Sequence, residues 1–248
     1  MAHAYEVDDW RRYDMNWYEP FRQLEPLEHE IATVDQGLVT LVDAHILPHA
    51  RYDHDKMLAH RNAVRRSFDI PWTAISPRME RLLYAINAVA QPQVMVAVGI
   101  FCGNTFIANA GAAIGPGACY SARRLIGIEI VPSEADRARR NVATLAAPDG
   151  VAEVVTADGI PWLKHYDGTI DLLYLDADGP RGKGKSIYLD LLLAATHALQ
   201  PGSLVLAHNS FNSASTLRDY LDYVRNPGHL QDSANMIIDD QGLEVSVV

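Results

Sequence analysis

Apolar and polar positions alternate in two different ways along the chain. From Leu27 to His49 the apolar residues Leu27, Ile31, Val34, Leu38, Leu41 and Ile46 recur every three to five positions, with Val42 directly after Leu41. That is the spacing of one helical face, and Pro48 ends the run. Further helices are predicted over 55–68 and 78–90, with Pro71 and Pro77 breaking the chain between them. The segment before Leu27 mixes Trp10, Tyr13, Trp17, Tyr18 and Phe21 with charged residues and has no clean period. An aromatic-rich arm of this kind packs on its own domain or on a second subunit.

After Pro92 short β-branched runs take over. Val94–Val98, Leu125–Ile130, Ala152–Thr156, Ile170–Leu175 and Ser203–Ala207 read as strands, and 105–114, 133–145, 188–199 and 215–224 as helices, with Ser133 an N-cap. Apolar strands alternating with helices imply a parallel sheet covered on both faces. Residues 234–248 read as two strands joined through Asp240-Gln241-Gly242, an antiparallel hairpin. The expected fold is α/β and Rossmann-like, a mostly parallel seven-stranded sheet with a C-terminal antiparallel hairpin. A helical cap or arm occupies 1–70 and the ligand-binding domain 71–248.

Composition narrows the function classes. The chain has 248 residues, 48% of them apolar, enough for one sizeable core. A formal charge of -10 argues against a general nucleic-acid or anionic-membrane binder, because both surfaces repel an acidic protein. Only Cys102 and Cys119 are present, too few for a disulfide framework. No apolar run is long enough to span a bilayer, and MAHAYEVDDWRRYD lacks a signal-peptide core, so a cytoplasmic location is expected.

The strand-loop-helix VMVAVGIFCGNTFIANA carries the first chemical signal. Gly99 and Gly103 let the backbone turn sharply and come close to a ligand. A glycine turn with no ligand has the same pattern. A dinucleotide fold prefers G-x-G-x-x-G, which Ile100-Phe101-Cys102 does not supply. Thirty positions after Gly99, the strand LIGIEI carries Glu129 near its end. A carboxylate there can accept two hydrogen bonds from a ribose diol. Small-residue packing explains Cys102 in the loop better than nucleophilic chemistry. His29, His45, His49, His54 and His60 cluster before the domain, but Pro48 breaks the register of His45 and His49 and no third metal ligand stands out.

Taken in order, AVGIFCGNT, GIEI, TADG, LLYLDAD and LQPGSLVLAHNS resemble the catechol and caffeoyl-CoA O-methyltransferase group of the class I S-adenosylmethionine-dependent methyltransferases. The resemblance spans about residues 70 to 248 and lies in the order and spacing of loose motifs. It implies that the first loop, with Gly99, Phe101, Gly103 and Thr105, holds the methionine part of S-adenosyl-L-methionine. It further implies Glu129 on the ribose, Asp158 and Gly159 beside the adenine, and Asp176 near the cofactor. SPRMERLLY resembles the segment preceding the first strand, which brings in Ser76 and Met79.

Departures from the family pattern are as informative as the matches. Ala97 stands where the family carries an acid two positions before the first loop glycine. The metal-dependent members bind a divalent cation through an Asp and an Asp-Asn pair, which map onto Asp176, His208 and Asn209. Imidazole in place of a carboxylate removes a charge and a hard oxygen, so a bound metal is the lesser expectation. His208, at a strand end beside the substrate site, then reads as a general base or as a histidine merely bonded in its loop. In DADGPRGKGKSIYLD the residues Gly179-Pro180-Arg181-Gly182 intervene before Lys183 and Lys185. Either lysine can close over the site and neutralise an acidic group, or simply belong to a solvated loop.

These readings converge on a methyltransferase acting on a small molecule, with a secondary-metabolite hydroxyl as the leading acceptor. Expected partners are that substrate and a second copy in a homodimer, with neither nucleic acid nor membrane. The competing expectations are cyclising or decarboxylative chemistry on the same fold, and a non-catalytic cofactor-binding homologue.

Overall fold

The computed structural model describes residues 3–13, 15–145, 150–180 and 182–248. In chain order the main elements are β1 (His3–Glu6), α1 (Leu27–Asp43), α2 (His54–Ser67), α3 (Pro77–Ala90), β2 (Val94–Val98), α4 (Asn104–Ala110), β3 (Arg124–Glu129) and α5 (Pro132–Ala143). They continue with β4 (Ala152–Thr156), α6 (Gly159–His165), β5 (Ile170–Leu175), α7 (Ile187–Ala195), β6 (Leu199–His208), α8 (Arg218–Val224), β7 (Asp232–Ile237) and β8 (Leu243–Val247). All strands join one sheet in the order β1-β7-β8-β6-β5-β2-β3-β4. Only β8 runs antiparallel to its neighbours.

The strand periodicity sorts the core into two layers. Val96, Val98, Ile126, Ile128, Leu173, Leu175, Val205 and Ala207 turn to one face, against Leu191 and Leu192 of α7 and Tyr220 and Leu221 of α8. Met95, Ala97, Leu172, Tyr174, Leu204 and Leu206 turn to the other, against Val34 and Leu38 of α1, Leu82 and Ile86 of α3 and Phe106 of α4. Residues on both sides of position 70 therefore share one core.

Four features differ from the expectation. The sheet has eight strands and not seven. The additional one, β1, is only four residues long and mostly exposed, so no alternation announces it. It pairs parallel to β7, and the Tyr5 hydroxyl donates to the Thr33 carbonyl of α1 at 3.0 Å. Helix α1 stops at Asp43, short of Pro48, because the amides of Ile46 and Leu47 both turn back to the Leu41 carbonyl and His45 adopts φ 58°. Helix α5 begins at Pro132 with Val131 in the cap position and no side-chain cap, so Ser133 is already inside the helix. The short α6 was not expected; the Asp158 carboxylate starts it by accepting from the Ile160 amide.

The topology fixes where a ligand can enter. From β2 the chain builds outward through β3 to β4, then returns to place β5 on the other side of β2. Loops leaving β2 and its neighbours diverge at that switch and leave a crevice at the carboxyl ends of the strands.

Candidate active site

The crevice is a cleft of about 520 Å³, bordered by the segments that follow β2, β3, β4, β5 and β6. Small-molecule sites commonly fall at roughly 300–1,000 Å³. Two segments outside the sheet complete its wall, Trp17 from the arm and Trp72 to Ile75 ahead of α3. The Thr73 amide donates to the Trp17 carbonyl at 2.9 Å and ties the two together. Trp72 lies 4.7 Å from the Phe101 ring and 6.1 Å from Trp17, centroid to centroid.

The glycine loop is shaped by its neighbours. Gly99 has φ +82°, and a Cβ there would lie 2.4 Å from the Ala177 Cα, so only glycine fits. Phe101, in the same loop, also has positive φ, at 49°, an uncommon state for a bulky residue. Glu129 holds this turn. Its carboxylate accepts from the Phe101 amide at 2.7 Å and from the Val131 amide at 2.9 Å. Each oxygen keeps a second acceptor position for a ligand hydroxyl. Thr105 contributes a buried hydroxyl with no partner among the described residues. Asp158 and Gly159 border the cleft beyond Ile130.

At the opposite end three ionisable side chains converge on one carboxylate. Lys185 Nζ donates to Asp176 Oδ1 at 3.0 Å and to the Asp176 carbonyl at 2.9 Å. His208 Nδ1 lies 3.3 Å from the same Oδ1, and the Tyr174 hydroxyl donates to Oδ2 at 3.4 Å. Burial opposes a charge on Asp176, but Lys185 and His208 outweigh it and hold the carboxyl below its ordinary range. His208 is 1% exposed; its Nε2 is buried with no partner among the described residues. A carboxylate at Nδ1 selects the tautomer protonated there, which leaves the Nε2 lone pair available. Asn209 has φ 66°, and its amide and that of Asn212 both donate to Gln241 Oε1 at 2.7 Å.

The expected site residues therefore separate into two groups. Gly99, Phe101, Thr105, Glu129, Asp158, Gly159, Asp176, Lys185, His208 and Asn209 all border the cleft. Four do not. Gly103 closes the loop from behind, against Ala138 of α5. Met79 is a fully buried core residue, while the Ser76 hydroxyl caps α3 and donates to Asp239. Lys183 is exposed on the loop and does not border the cleft, and nearby Arg181 lies outside the described residues. Ala97 packs into the core beneath the sheet, so the family's acidic position faces no ligand here. Burial raises the Cys102 thiol to about 11, which fits packing rather than nucleophilic chemistry. Sequence reasoning missed Trp17, Trp72, Asn212 and Gln241, which reach the cleft from segments without a motif; the hairpin turn at Gln241 was the one available signal.

The divalent site implied by the resemblance does not fit these residues. Asp176, its one carboxylate, is already occupied by an ammonium, and the Asn209 amide is turned to Gln241. Among the described residues no group of three His, Cys, Asp or Glu side chains is arranged to hold a metal ion.

Comparison with known proteins agrees with this class of site. Residues 96–210 match the family model of a methyltransferase domain, a segment containing every strand-end residue from Gly99 to Asn209 described above. The resemblance drawn from the motifs is supported over this segment, which is similar to a methyltransferase domain, and the chain's neighbours in fold include O-methyltransferases. The O-methyltransferase TomG of Streptomyces achromogenes, which acts in tomaymycin synthesis and was crystallised with S-adenosylmethionine, is 19% identical with a TM-score of 0.60, over 80% of this chain and 91% of its own. A Bacillus cereus O-methyltransferase in complex with S-adenosylhomocysteine is 14% identical with a TM-score of 0.57, over 87% of this chain and 97% of its own. A Podospora anserina methyltransferase bound to S-adenosylhomocysteine is 16% identical with a TM-score of 0.58, over 92% of this chain and 99% of its own. No curated protein matches the chain.

Proposed function

We propose that the protein transfers a methyl group from S-adenosylmethionine to a hydroxyl of a small molecule, with His208 as general base. The observation that carries this reading is the placement of both halves of such chemistry in one cleft. The Gly99–Glu129 cradle forms one side, and a buried His208 Nε2, partnerless but oriented through Asp176, forms the other.

The residues present fit the cofactor. Gly99 keeps the floor of the cradle free of a side chain, Thr105 offers an unpartnered hydroxyl, and Glu129 retains acceptor positions for a ribose. Asp158 and Gly159 would border the adenine. When bound, the cofactor supplies an electrophilic methyl group and keeps the carbon–sulfur bonding pair as a neutral thioether. His208 Nε2 takes the acceptor's hydroxyl proton as that oxygen bonds to the methyl carbon, and later releases it to solvent. Trp17, Trp72 and Phe101 form an aromatic wall that orders the acceptor and excludes water.

Calorimetric titration tests the cofactor half. S-adenosylhomocysteine is expected to bind and NAD not to, and the reverse would replace this reading with a dehydrogenase. For the chemical half, methyl-labelled cofactor is incubated with a panel of phenols and hydroxy acids. His208→Ala is expected to lower label transfer about a hundredfold or more while leaving S-adenosylhomocysteine affinity unchanged. Undiminished transfer by the variant removes the base assignment.

A further inference from the structure

Among the cleft's polar side chains, Lys185 has a position that the general-base scheme does not use. The loop after β5 folds back to deliver it: the Gly179 amide donates to the Gly184 carbonyl at 2.8 Å, and the Lys183 amide to the Pro180 carbonyl at 2.9 Å. Gly182 and Gly184 take positive φ, at 91° and 47°, and a Cβ on Gly179 would meet that of Lys183 at 2.9 Å. The lysine that emerges is 13% exposed, unlike its solvated neighbour Lys183. Its ammonium contacts a carboxylate oxygen and a backbone carbonyl of the same residue. Asp178 Oδ2 adds a third oxygen at 3.5 Å. Carboxylate and carbonyl oxygens are the donors that hard cations select.

We propose that Lys185 is the resident cation of this cleft, its ammonium occupying the place at Asp176 that a divalent metal would otherwise take. A dication on Asp176 Oδ1 would lie against the ammonium and be repelled by it. The substitution of His208 into the triad supports the same reading. With His208 in place of a carboxylate the triad carries one negative charge, which a single ammonium balances and which is left uncompensated when that ammonium is removed. The catalytic consequence rests on the methyl-transfer reading: with His208 taking the proton, Lys185 stabilises the negative charge that develops on the acceptor oxygen. Lysine thus supplies the electrostatic part and histidine the proton-accepting part of what one metal site would combine.

Manganese binding followed by electron paramagnetic resonance tests this, with and without S-adenosylhomocysteine, so that it does not depend on turnover. The wild type is expected to leave added Mn²⁺ free. Lys185→Ala is expected to take up one Mn²⁺ per chain, and Lys185→Ala combined with Asp176→Asn to lose it. Lys185→Gln, which keeps a donor toward the Asp176 carbonyl without the charge, is expected to behave as Lys185→Ala and serves if that variant melts early. Wild-type binding of Mn²⁺ that Asp176→Asn removes would overturn the proposal. So would a folded Lys185→Ala or Lys185→Gln variant that takes up no Mn²⁺. Failure of S-adenosylhomocysteine to bind instead removes the methyl-transfer reading and leaves the manganese result to be judged separately.

Discussion

The cleft's capacity to take a ligand rests on two small features, the missing side chain of Gly99 and the unpartnered hydroxyl of Thr105. A methyl group on Gly99 would meet the backbone of Ala177 and Asp176, neither of which can swing aside as a flexible side chain can. Positive φ adds a conformational cost to the steric one. Gly99→Ala is therefore expected to displace the loop after β5 and weaken S-adenosylhomocysteine binding by about tenfold or more, roughly 1.4 kcal/mol, in calorimetry. Thr105→Val keeps the shape and removes only the hydroxyl, so it separates a polar contact from packing. A binding loss of about 1 kcal/mol, with the melting temperature unchanged or raised, marks a hydroxyl that bonds the ligand. Equal affinity in wild type and variant would show that the hydroxyl is not used.

At the scale of elements, the helices before position 90 are tied together by charge as well as by apolar packing. Glu30 of α1 is fully buried between Arg61 of α2 and Arg81 of α3, at 2.8 Å from the former, and Arg61 also reaches Glu80. Burial works to raise the Glu30 carboxyl, but the two guanidiniums outweigh it and keep it below the ordinary glutamate value. Glu30→Gln leaves two buried arginines short of a counter-charge and is expected to cost about 3–5 kcal/mol in denaturant unfolding. A loss below about 1 kcal/mol would mean that solvent compensates. This cluster was not legible in the sequence, because Glu30, Arg61 and Arg81 sit at helical positions that would suit a solvated face equally well. The strands after β1 were legible because their apolar runs lie between turn and helix signals, whereas the short, exposed β1 carries no such run. The same contrast applies at the site: Gly99, Glu129 and His208 lie at strand ends, where topology dictates a crevice. Trp17, Trp72 and Gln241 reach it through tertiary packing that no local period encodes.

For the whole molecule, acid is the condition under which the charge arrangement is tested. Two sets of groups respond, at different pH. His60 is fully buried, stacked on Tyr84 at 5.7 Å, and burial lowers its imidazole from 6.5 to about 4. The unfolded chain thus takes up a proton there at higher pH than the folded one. The stability associated with neutral His60 is fully present above 6.5 and is lost as pH falls from there through about 4, to a limit of about 3 kcal/mol. Asp9, Glu30 and Asp176 are held below their ordinary values of 3.8 for Asp and 4.5 for Glu. Their contribution is complete above those values and disappears only at lower pH. Melting temperature is therefore expected to decline first between pH 6.5 and about 4.5, where His60 acts before the carboxylates, and then more steeply below. His60→Leu discriminates the two phases. It should melt lower than wild type at pH 7, having lost the ring that fills the space against Gly111 and Gly117, yet decline less between pH 6.5 and about 4.5. Parallel curves for the two proteins across that interval would show that His60 is not the group responsible for the first phase.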